Sequence, residues 1–228
     1  MLDFVLVPRD EAWLDGGEVA VPLEVTVSEN KATVEYYPSA EALVAKLIER
    51  FGESAKTLFS LEAIAFAVRY FGDFLELYGF SVSPDSKDFY INCTLHGVCT
   101  ESYPAVRRLT GGEGYNDLTD TDIDGLIEDG YIIYAAVVGN DIVAVANTGV
   151  PINDETPREV EIGVDTAEKY RRKGYGRACI SALVNELSRL GHTAIYEYAS
   201  KNTASARLIE SLGGTVTSRK FYIVGFRE

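Results

Sequence analysis

A basic segment interrupted by two glycines follows a short apolar run and precedes a long amphipathic pattern. The apolar run is Glu161-Ile162-Gly163-Val164, and the basic segment is Arg171-Arg172-Lys173-Gly174-Tyr175-Gly176-Arg177. Glycine lets the main chain come close to a ligand, and the first N–H groups of a helix have no intrahelical partner. The helix dipole adds partial positive charge at the same end, which favours phosphate. The sequence therefore predicts an anion site that can hold a pyrophosphate.

The composition disfavours several classes of protein. The chain has 228 residues, of which 46% are hydrophobic and 25% charged, as is ordinary for a globular protein of one large or two small domains. No apolar run reaches the ~18 residues of a membrane span, and residues 1–10 lack the basic start and apolar core of a signal peptide. Three cysteines, Cys93, Cys99 and Cys179, give no disulfide framework. We therefore expect a cytoplasmic protein with no membrane association.

Negative charge dominates the chain but is unevenly distributed. The formal net charge of −14 disfavours non-specific nucleic-acid binding, which depends on neutralising phosphates, and fits a cationic small-molecule partner. Residues 1–105 carry 7 basic and 17 acidic residues, a net charge of −10, whereas residues 106–228 carry 14 and 18, a net charge of −4. Five of the later basic residues lie within residues 169–177. This asymmetry supports two modules with a boundary near residue 105.

Hydrophobic periodicity predicts a small α+β arrangement in the first module. The expected elements are two strands of a hairpin, two helices and a further strand, over residues 19–27, 31–37, 40–51, 58–78 and 89–98.

The second module alternates strands and helices around the basic segment. The expected elements are a hairpin, a strand, a helix, a strand, a short helix and a terminal pair of strands, over residues 131–138, 141–147, 159–164, 174–190, 193–198, 202–212, 215–218 and 220–226. Gly139-Asn140 is typical of a two-residue hairpin turn. The β-α-β unit around the basic segment requires a right-handed crossover and parallel strands.

Two segments resemble metal sites only in part. Cys93, His96 and Cys99 are zinc-binding residue types, but a fourth ligand is missing and their spacing does not place all three on one face of a strand. Asp120-Thr121-Asp122-Ile123-Asp124-Gly125 begins like a calcium loop, but Tyr131 stands where the bidentate glutamate belongs. We therefore expect packed thiols at the first segment and no bound metal. The second segment is either an acidic helix start or an acidic rim that attracts a cationic substrate.

Three motifs follow one another on defined elements of the second module. They are Glu161-Ile162-Gly163-Val164-Asp165-Thr166 on a strand, Arg171-x-x-Gly174-x-Gly176 on a loop and Asn202-x-x-Ser205 at a helix start. Residues from about 115 to 226 thereby resemble the GNAT N-acetyltransferase superfamily, whose acetyl-CoA loop reads R/Q-x-x-G-x-G/A. The resemblance implies an α/β fold with a mixed sheet. A GNAT-like acyltransferase domain over residues 106–228 would follow a smaller α+β N-terminal module over residues 1–105.

The resemblance also implies acetyl-CoA as co-substrate and a role for individual residues. Backbone amides of residues 172–177 would hold the pyrophosphate, and main-chain groups of Ile162 and Val164 would pair with pantetheine. An N–H on this strand would polarise the thioester carbonyl. Asn202 would bond the pantetheine arm, although asparagine is also a preferred helix cap. The implied cofactor-binding residues are Ile162, Val164, Arg171, Arg172, Lys173, Gly174, Tyr175, Gly176, Arg177, Asn202 and Ser205.

Acetyl transfer to an amine needs a neutral nucleophile, whereas most amines are protonated near pH 7. A nearby carboxylate can take the proton. Glu161 and Glu159 share one face of the predicted strand, and Glu161 is the first candidate, with a solvated strand residue as the alternative. Many GNAT members carry a tyrosine seven residues after the asparagine to protonate the leaving thiolate, but this chain has Ile209 there. Tyr198 is the substitute that we consider.

The sequence as a whole predicts an acetyl-CoA-dependent N-acetyltransferase that acts by direct attack of a primary amine, on a cationic small molecule or peptide. One alternative is a non-catalytic acyl-CoA-binding regulatory module, which Ile209 supports. Another is a binder of a different phosphate ligand. The expected partners are acetyl-CoA and the amine substrate, with no nucleic acid and no membrane, and the sequence is compatible with a homodimer.

Overall fold

The computed structural model describes residues 3–29, 31–97, 106–111 and 123–227. Within them the chain is mixed α/β with a long mixed sheet, as predicted. Two compact units are present: the first comprises Met1–Asn92, Tyr198–Asn202 and Thr217–Glu228, and the second comprises Cys93–Glu197 and Thr203–Val216. The predicted boundary near residue 105 lies outside the described residues and stays a prediction.

The regular elements follow one another in the order that the sequence periodicity indicates. The strands are β1 (Asp3–Pro8), β2 (Val19–Ser28), β3 (Lys31–Tyr36), β4 (Ser81–Val82), β5 (Tyr90–Leu95), β6 (Val106–Arg108), β7 (Ile133–Val138), β8 (Asp141–Thr148), β9 (Glu159–Thr166), β10 (Thr193–Ala199) and β11 (Thr215–Phe226). The helices are α1 (Trp13–Gly16), α2 (Glu41–Phe51), α3 (Ala55–Leu58), α4 (Leu61–Leu77), α5 (Ile123–Glu128), α6 (Tyr175–Arg189) and α7 (Thr203–Ser211).

The first unit packs helices on one face of a sheet. β2 and β3 form the predicted antiparallel hairpin, β1 pairs parallel to β3, and β11 pairs antiparallel to β2. Alternate strand residues such as Val25 and Phe221 are fully buried, and they share a core with Leu47 of α2 and Phe71 of α4. Because side chains alternate across a strand, the other face of this sheet carries polar residues.

Two local predictions in this unit differ from the structure, and one strand was missed. The helix predicted over residues 58–78 begins three residues later, as α4, because Ser60 accepts the Ala63 N–H at 3.2 Å and caps its start. The predicted terminal strand pair is one continuous strand, because residues 218–223 pair with β2 in unbroken register. β1 was not predicted, since its parallel pairing with β3 is a contact between segments distant in sequence.

The second unit contains the predicted hairpin and β-α-β unit. Its strand order is β10-β9-β8-β7-β6, in which β9 and β10 are parallel as predicted and the other pairs are antiparallel. α6 connects β9 to β10, and its buried residues include Ile180, Leu183 and Leu187. This unit thus holds the predicted anion loop between a central strand and its parallel neighbour.

The segments considered for metal binding are only partly described. Cys93 is buried in β5 with 1% exposure, and Asp124 lies in the first turn of α5. Cys99 and residues 120–122 lie outside the described residues. No helix in the described part of the chain is long and apolar enough to cross a membrane.

Candidate functional site

The basic loop before α6 has an unusual backbone. Arg172 has φ = 59° and is the one non-glycine residue with positive φ among those described; Gly174 follows with φ = 86°. Positive φ is uncommon for a residue with a side chain and costs on the order of 1–3 kcal/mol. Such a conformation persists only where surrounding structure imposes it, and it is concentrated at ligand sites. The loop between Arg171 and Gly174 is therefore held in a shape that helix entry alone does not require.

The start of α6 presents main-chain donors without internal partners. Gly174 is the N-cap residue and provides no side-chain cap, and the first intrahelical bond runs from the Ala178 N–H to the Gly174 carbonyl at 3.0 Å. The N–H groups of Tyr175, Gly176 and Arg177 thus have no intrahelical acceptor. Together with the helix dipole, they give this helix end the positive potential that an anion site needs, and the anion site itself stays a prediction.

Gly176 allows α6 to pack closely against β9. A Cβ atom at this position would lie 2.8 Å from Thr166 Oγ1 and 3.3 Å from Val164 Cγ2. The absence of a side chain therefore lets the first turn of α6 lie directly on β9. The two glycines of the motif have different tasks, because Gly174 permits the left-handed turn and Gly176 permits close packing of helix on strand.

β9 has one main-chain edge that loses its neighbour partway along the strand. The Glu161 carbonyl accepts from the Gly149 N–H at 2.7 Å, and the Ala167 N–H donates to the Val143 carbonyl at 3.0 Å. Odd-numbered residues of β9 thus direct their main-chain groups towards β8, and even-numbered residues direct theirs towards β10.

Pairing on the β10 side runs from Thr193 opposite Glu159 to Ile195 opposite Glu161 and then ends, whereas pairing with β8 continues to Thr166. Ile162 follows the last pair directly. Val164 lies beyond it, so in the described part of the chain no strand pairs with its main-chain groups on this edge. The two strands therefore diverge where the sequence analysis expected a pantetheine arm to pair.

The basic side chains of the loop are exposed, and that of Arg171 forms a hydrogen bond to the end of β9. Arg171 Nε donates to the Thr166 carbonyl at 3.0 Å, which ties the loop to the end of β9. Lys169 Nζ and Lys173 Nζ lie 5.0 and 5.1 Å from the centre of the Tyr170 ring. These cation–π contacts keep two positive charges close to the N-terminus of α6.

The candidate base lies on the face of β9 opposite the face that contacts α6. Val164 and Thr166 approach Gly176, whereas Glu161 and Glu159 alternate to the other face and are exposed. A carboxylate within reach of a bound amine is a candidate proton acceptor.

Ile209, at the position where many GNAT members carry tyrosine, belongs to the core of the second unit. It is 1% exposed, and a Cβ atom built on Gly214 would lie 2.4 Å from its Cγ2. No proton can come from this position. Tyr198, the substitute expected from the sequence, is a half-buried residue of β10 in a segment that packs with the first unit.

A tyrosine that the sequence analysis did not single out contacts a predicted cofactor residue. Tyr196 is 7% exposed, and its hydroxyl lies 3.3 Å from Ser205 Oγ on α7. It follows Ile195, the last β10 residue paired with β9. The alternation of β10 places Tyr196 and Tyr198 on one face, which is the signal that could have identified it. Asn202 is exposed and lies directly before α7.

The cysteine on α6 is unsuited to nucleophilic chemistry. Burial raises the pKa of the Cys179 thiol to about 12, and its Sγ–H donates to the Ala144 carbonyl at 3.6 Å. A thiol acts as a nucleophile in its thiolate form, which this environment disfavours.

A family model matches the segment of the chain that contains this loop and helix. Residues 130–219 match the family model of GNAT acetyltransferases; the N-terminal region lies outside the match. Among curated proteins, none matches this sequence.

Solved structures support the fold. A protein from Novosphingobium aromaticivorans that is described as a GNAT-family acetyltransferase shares 18% identity and a TM-score of 0.50, over 66% of this chain and 69% of that one. A Drosophila protein shares 13% identity and a TM-score of 0.50, over 70% of this chain and 57% of its own. At such identities the likeness concerns the fold alone.

Proposed function

We propose that this protein is an acetyl-CoA-dependent N-acetyltransferase that transfers the acetyl group to a primary amine of a cationic small molecule or peptide. The observation that carries the proposal is the divergence of β9 from β10 beside the N-terminus of α6. This arrangement offers an open strand edge next to an anion site, as a ligand with a pyrophosphate and an extended amide-containing arm requires.

The residues of the site fit acetyl-CoA. When bound, acetyl-CoA supplies a thioester as acetyl donor. The N–H groups of Tyr175, Gly176 and Arg177 would bond its pyrophosphate, with Arg172 and Lys173 adding positive charge. Main-chain groups of Ile162 and Val164 would pair with the pantetheine amides, and Asn202 and Ser205 would hold the arm from α7. The Val164 N–H is the donor best suited to polarise the thioester carbonyl, because none of the described strands pairs with it on this edge.

Glu161 would accept the proton of the incoming amine, directly or through water. Its exposure on the open face of β9 supports access by a solvated substrate. Tyr198 would protonate the departing thiolate. In this arrangement, the bond from nitrogen to the acetyl carbon forms as the carbon–sulfur bond breaks. The net result is one proton released by the amine and one taken up by sulfur.

A thiol-release assay tests the proposal. Purified protein is incubated with acetyl-CoA and a panel of polyamines, aminoglycosides, amino acids and peptides, and free coenzyme A is measured. We expect amine-dependent release with at least one cationic substrate, and acetyl-CoA binding by calorimetry. Absence of acetyl-CoA binding would contradict the proposal.

The second candidate function is a non-catalytic acyl-CoA-binding regulatory module. The burial of Ile209 favours it, because a common proton donor of the family is missing. Such a module binds acetyl-CoA in calorimetry but releases no thiol with any amine.

The cytoplasmic location and the homodimer compatible with the sequence stay predictions.

Two tyrosines on β10 should differ in the kinetic parameter that they affect. Tyr198→Phe removes the proposed proton donor and should lower kcat by about 10²-fold with KM little changed. Tyr196→Phe keeps the ring but removes the hydroxyl that contacts Ser205. Because a single hydrogen bond is worth about 0.5–1.5 kcal/mol, it should raise the KM for acetyl-CoA about three- to tenfold. Steady-state kinetics measures both, and the reverse pattern would exchange the two roles.

A further inference from the structure

A groove in the first unit has a ligand-sized volume of about 630 Å³. It is lined by residues that follow β1, by α1, by the start of β2 and by Tyr37. Small-molecule sites usually enclose about 300–1,000 Å³ and combine apolar walls with a few polar groups. The groove has this composition, since Trp13, Val19 and Tyr37 lie beside Asp10, Glu18 and Arg9.

Trp13 is the only tryptophan of the chain, and it is 61% exposed. Its ring lies against Gly17, where a Cβ atom would be 2.5 Å from the indole Cε3. The short helix that carries it is fixed, because the Gly17 N–H donates to the Trp13 carbonyl at 2.9 Å and Arg227 Nη2 donates to the Leu14 carbonyl at 2.8 Å. An aromatic ring is thus presented to solvent by an anchored segment.

The charges around the groove are predominantly negative. The Arg9 guanidinium forms two salt bridges, since its Nη2 lies 2.7 Å from a Glu35 oxygen and 3.2 Å from a Glu24 oxygen. Two carboxylates therefore share one guanidinium. Asp10 and Glu18 are exposed and bring further negative charge to the groove. No basic side chain other than Arg9 lines it among the described residues.

We infer that this groove binds an organic cation of the alkylammonium class, such as a polyamine. The exposed indole supplies an aromatic face to the ammonium group, and Asp10 and Glu18 supply charge. Val19 and Tyr37 pack against the methylene chain. The inference concerns residues of the first unit alone and does not depend on acetyl-CoA binding.

Fluorescence titration with putrescine and spermidine tests it, because Trp13 is the only tryptophan to report. We expect a saturable change in emission, and a smaller or absent change with 1,4-butanediol, the neutral analogue of putrescine. The variant Trp13→Ala has no tryptophan signal, so its binding is measured by calorimetry. It should bind spermidine about two- to fivefold more weakly, which is the contribution of a cation–π contact at an exposed ring.

The matched control separates a site from general charge attraction. Asp10→Asn/Glu18→Gln should weaken spermidine binding about tenfold or more, whereas Glu53→Gln/Glu76→Gln, which removes the same charge from exposed positions outside the groove, should leave it unchanged. Equal loss in the two double variants would overturn the inference, as would equal binding of 1,4-butanediol. An emission change that depends on protein concentration without ligand would overturn it too, by indicating that a second copy covers Trp13. If neither putrescine nor spermidine changed the Trp13 emission, the inference would be overturned as well.

Discussion

Glu161→Gln should lower kcat/KM for amine acetylation by about 10²- to 10⁴-fold, the contribution that a positioned general base usually makes. Glutamine keeps the size and the hydrogen-bonding reach of the side chain but cannot accept the proton that an ammonium group must lose. Acetyl-CoA affinity should be unchanged, because the Glu161 side chain lies on the face of β9 opposite the face that meets α6.

The pH dependence of the same variant sharpens this test. A primary alkyl amine loses its proton near pH ~10.4, so the neutral form becomes abundant as the pH rises towards that value. The wild-type protein should therefore exceed the variant most at neutral pH, and the gap should narrow above pH ~9. A gap that stays constant with pH would contradict proton abstraction by Glu161.

Glu159→Gln is the matched control. Glu159 is exposed on the same face of β9, two residues earlier, so its replacement removes the same charge near the site. We expect a much smaller loss of kcat/KM in this variant. Equal losses would indicate attraction of a cationic substrate by both carboxylates, and wild-type activity in Glu161→Gln would identify Glu161 as a solvated strand residue.

Gly176→Ala should weaken acetyl-CoA binding about tenfold or more, because even a small displacement of the N–H groups at the start of α6 would misplace them for the pyrophosphate. The added methyl group would meet Thr166 Oγ1 at 2.8 Å and Val164 Cγ2 at 3.3 Å. The first turn of α6 must then move away from β9, and the N–H groups of the anion site move with it. Calorimetry with acetyl-CoA measures the affinity, and thermal unfolding measures the accompanying loss of stability.

A second substitution should rescue this variant. Thr166→Ala removes the Oγ1 atom but keeps the main-chain carbonyl that accepts from Arg171 Nε. The double variant Gly176→Ala/Thr166→Ala should therefore recover most of the affinity. Gly97→Ala adds the same methyl group where the nearest heavy atom is 3.7 Å away, and it should bind normally. Failure of the rescue would place the cause of the loss outside the contact with Thr166.

Most elements could be predicted from the sequence because their signals are local. The apolar alternation of β7 and β8 with Gly139 at their turn, and the helical spacing of α6 after β9, needed only neighbouring residues. The β-α-β connection then implied the parallel pairing of β9 and β10. The start of α4 also has a local cause, the Ser60 cap, although the prediction placed it at residue 58.

The sequence by itself determined the resemblance to GNAT acetyltransferases and predicted the anion loop, because glycine spacing and flanking charge act within one short segment. Only the tertiary structure decided that β9 loses its β10 neighbour after Glu161, that Gly176 makes room for Thr166, and that the Tyr196 hydroxyl meets Ser205. It also decided that Trp13 remains exposed beside Asp10. Each of these depends on atoms that are distant in the chain or on backbone angles that no residue type dictates, so packing alone brings them about.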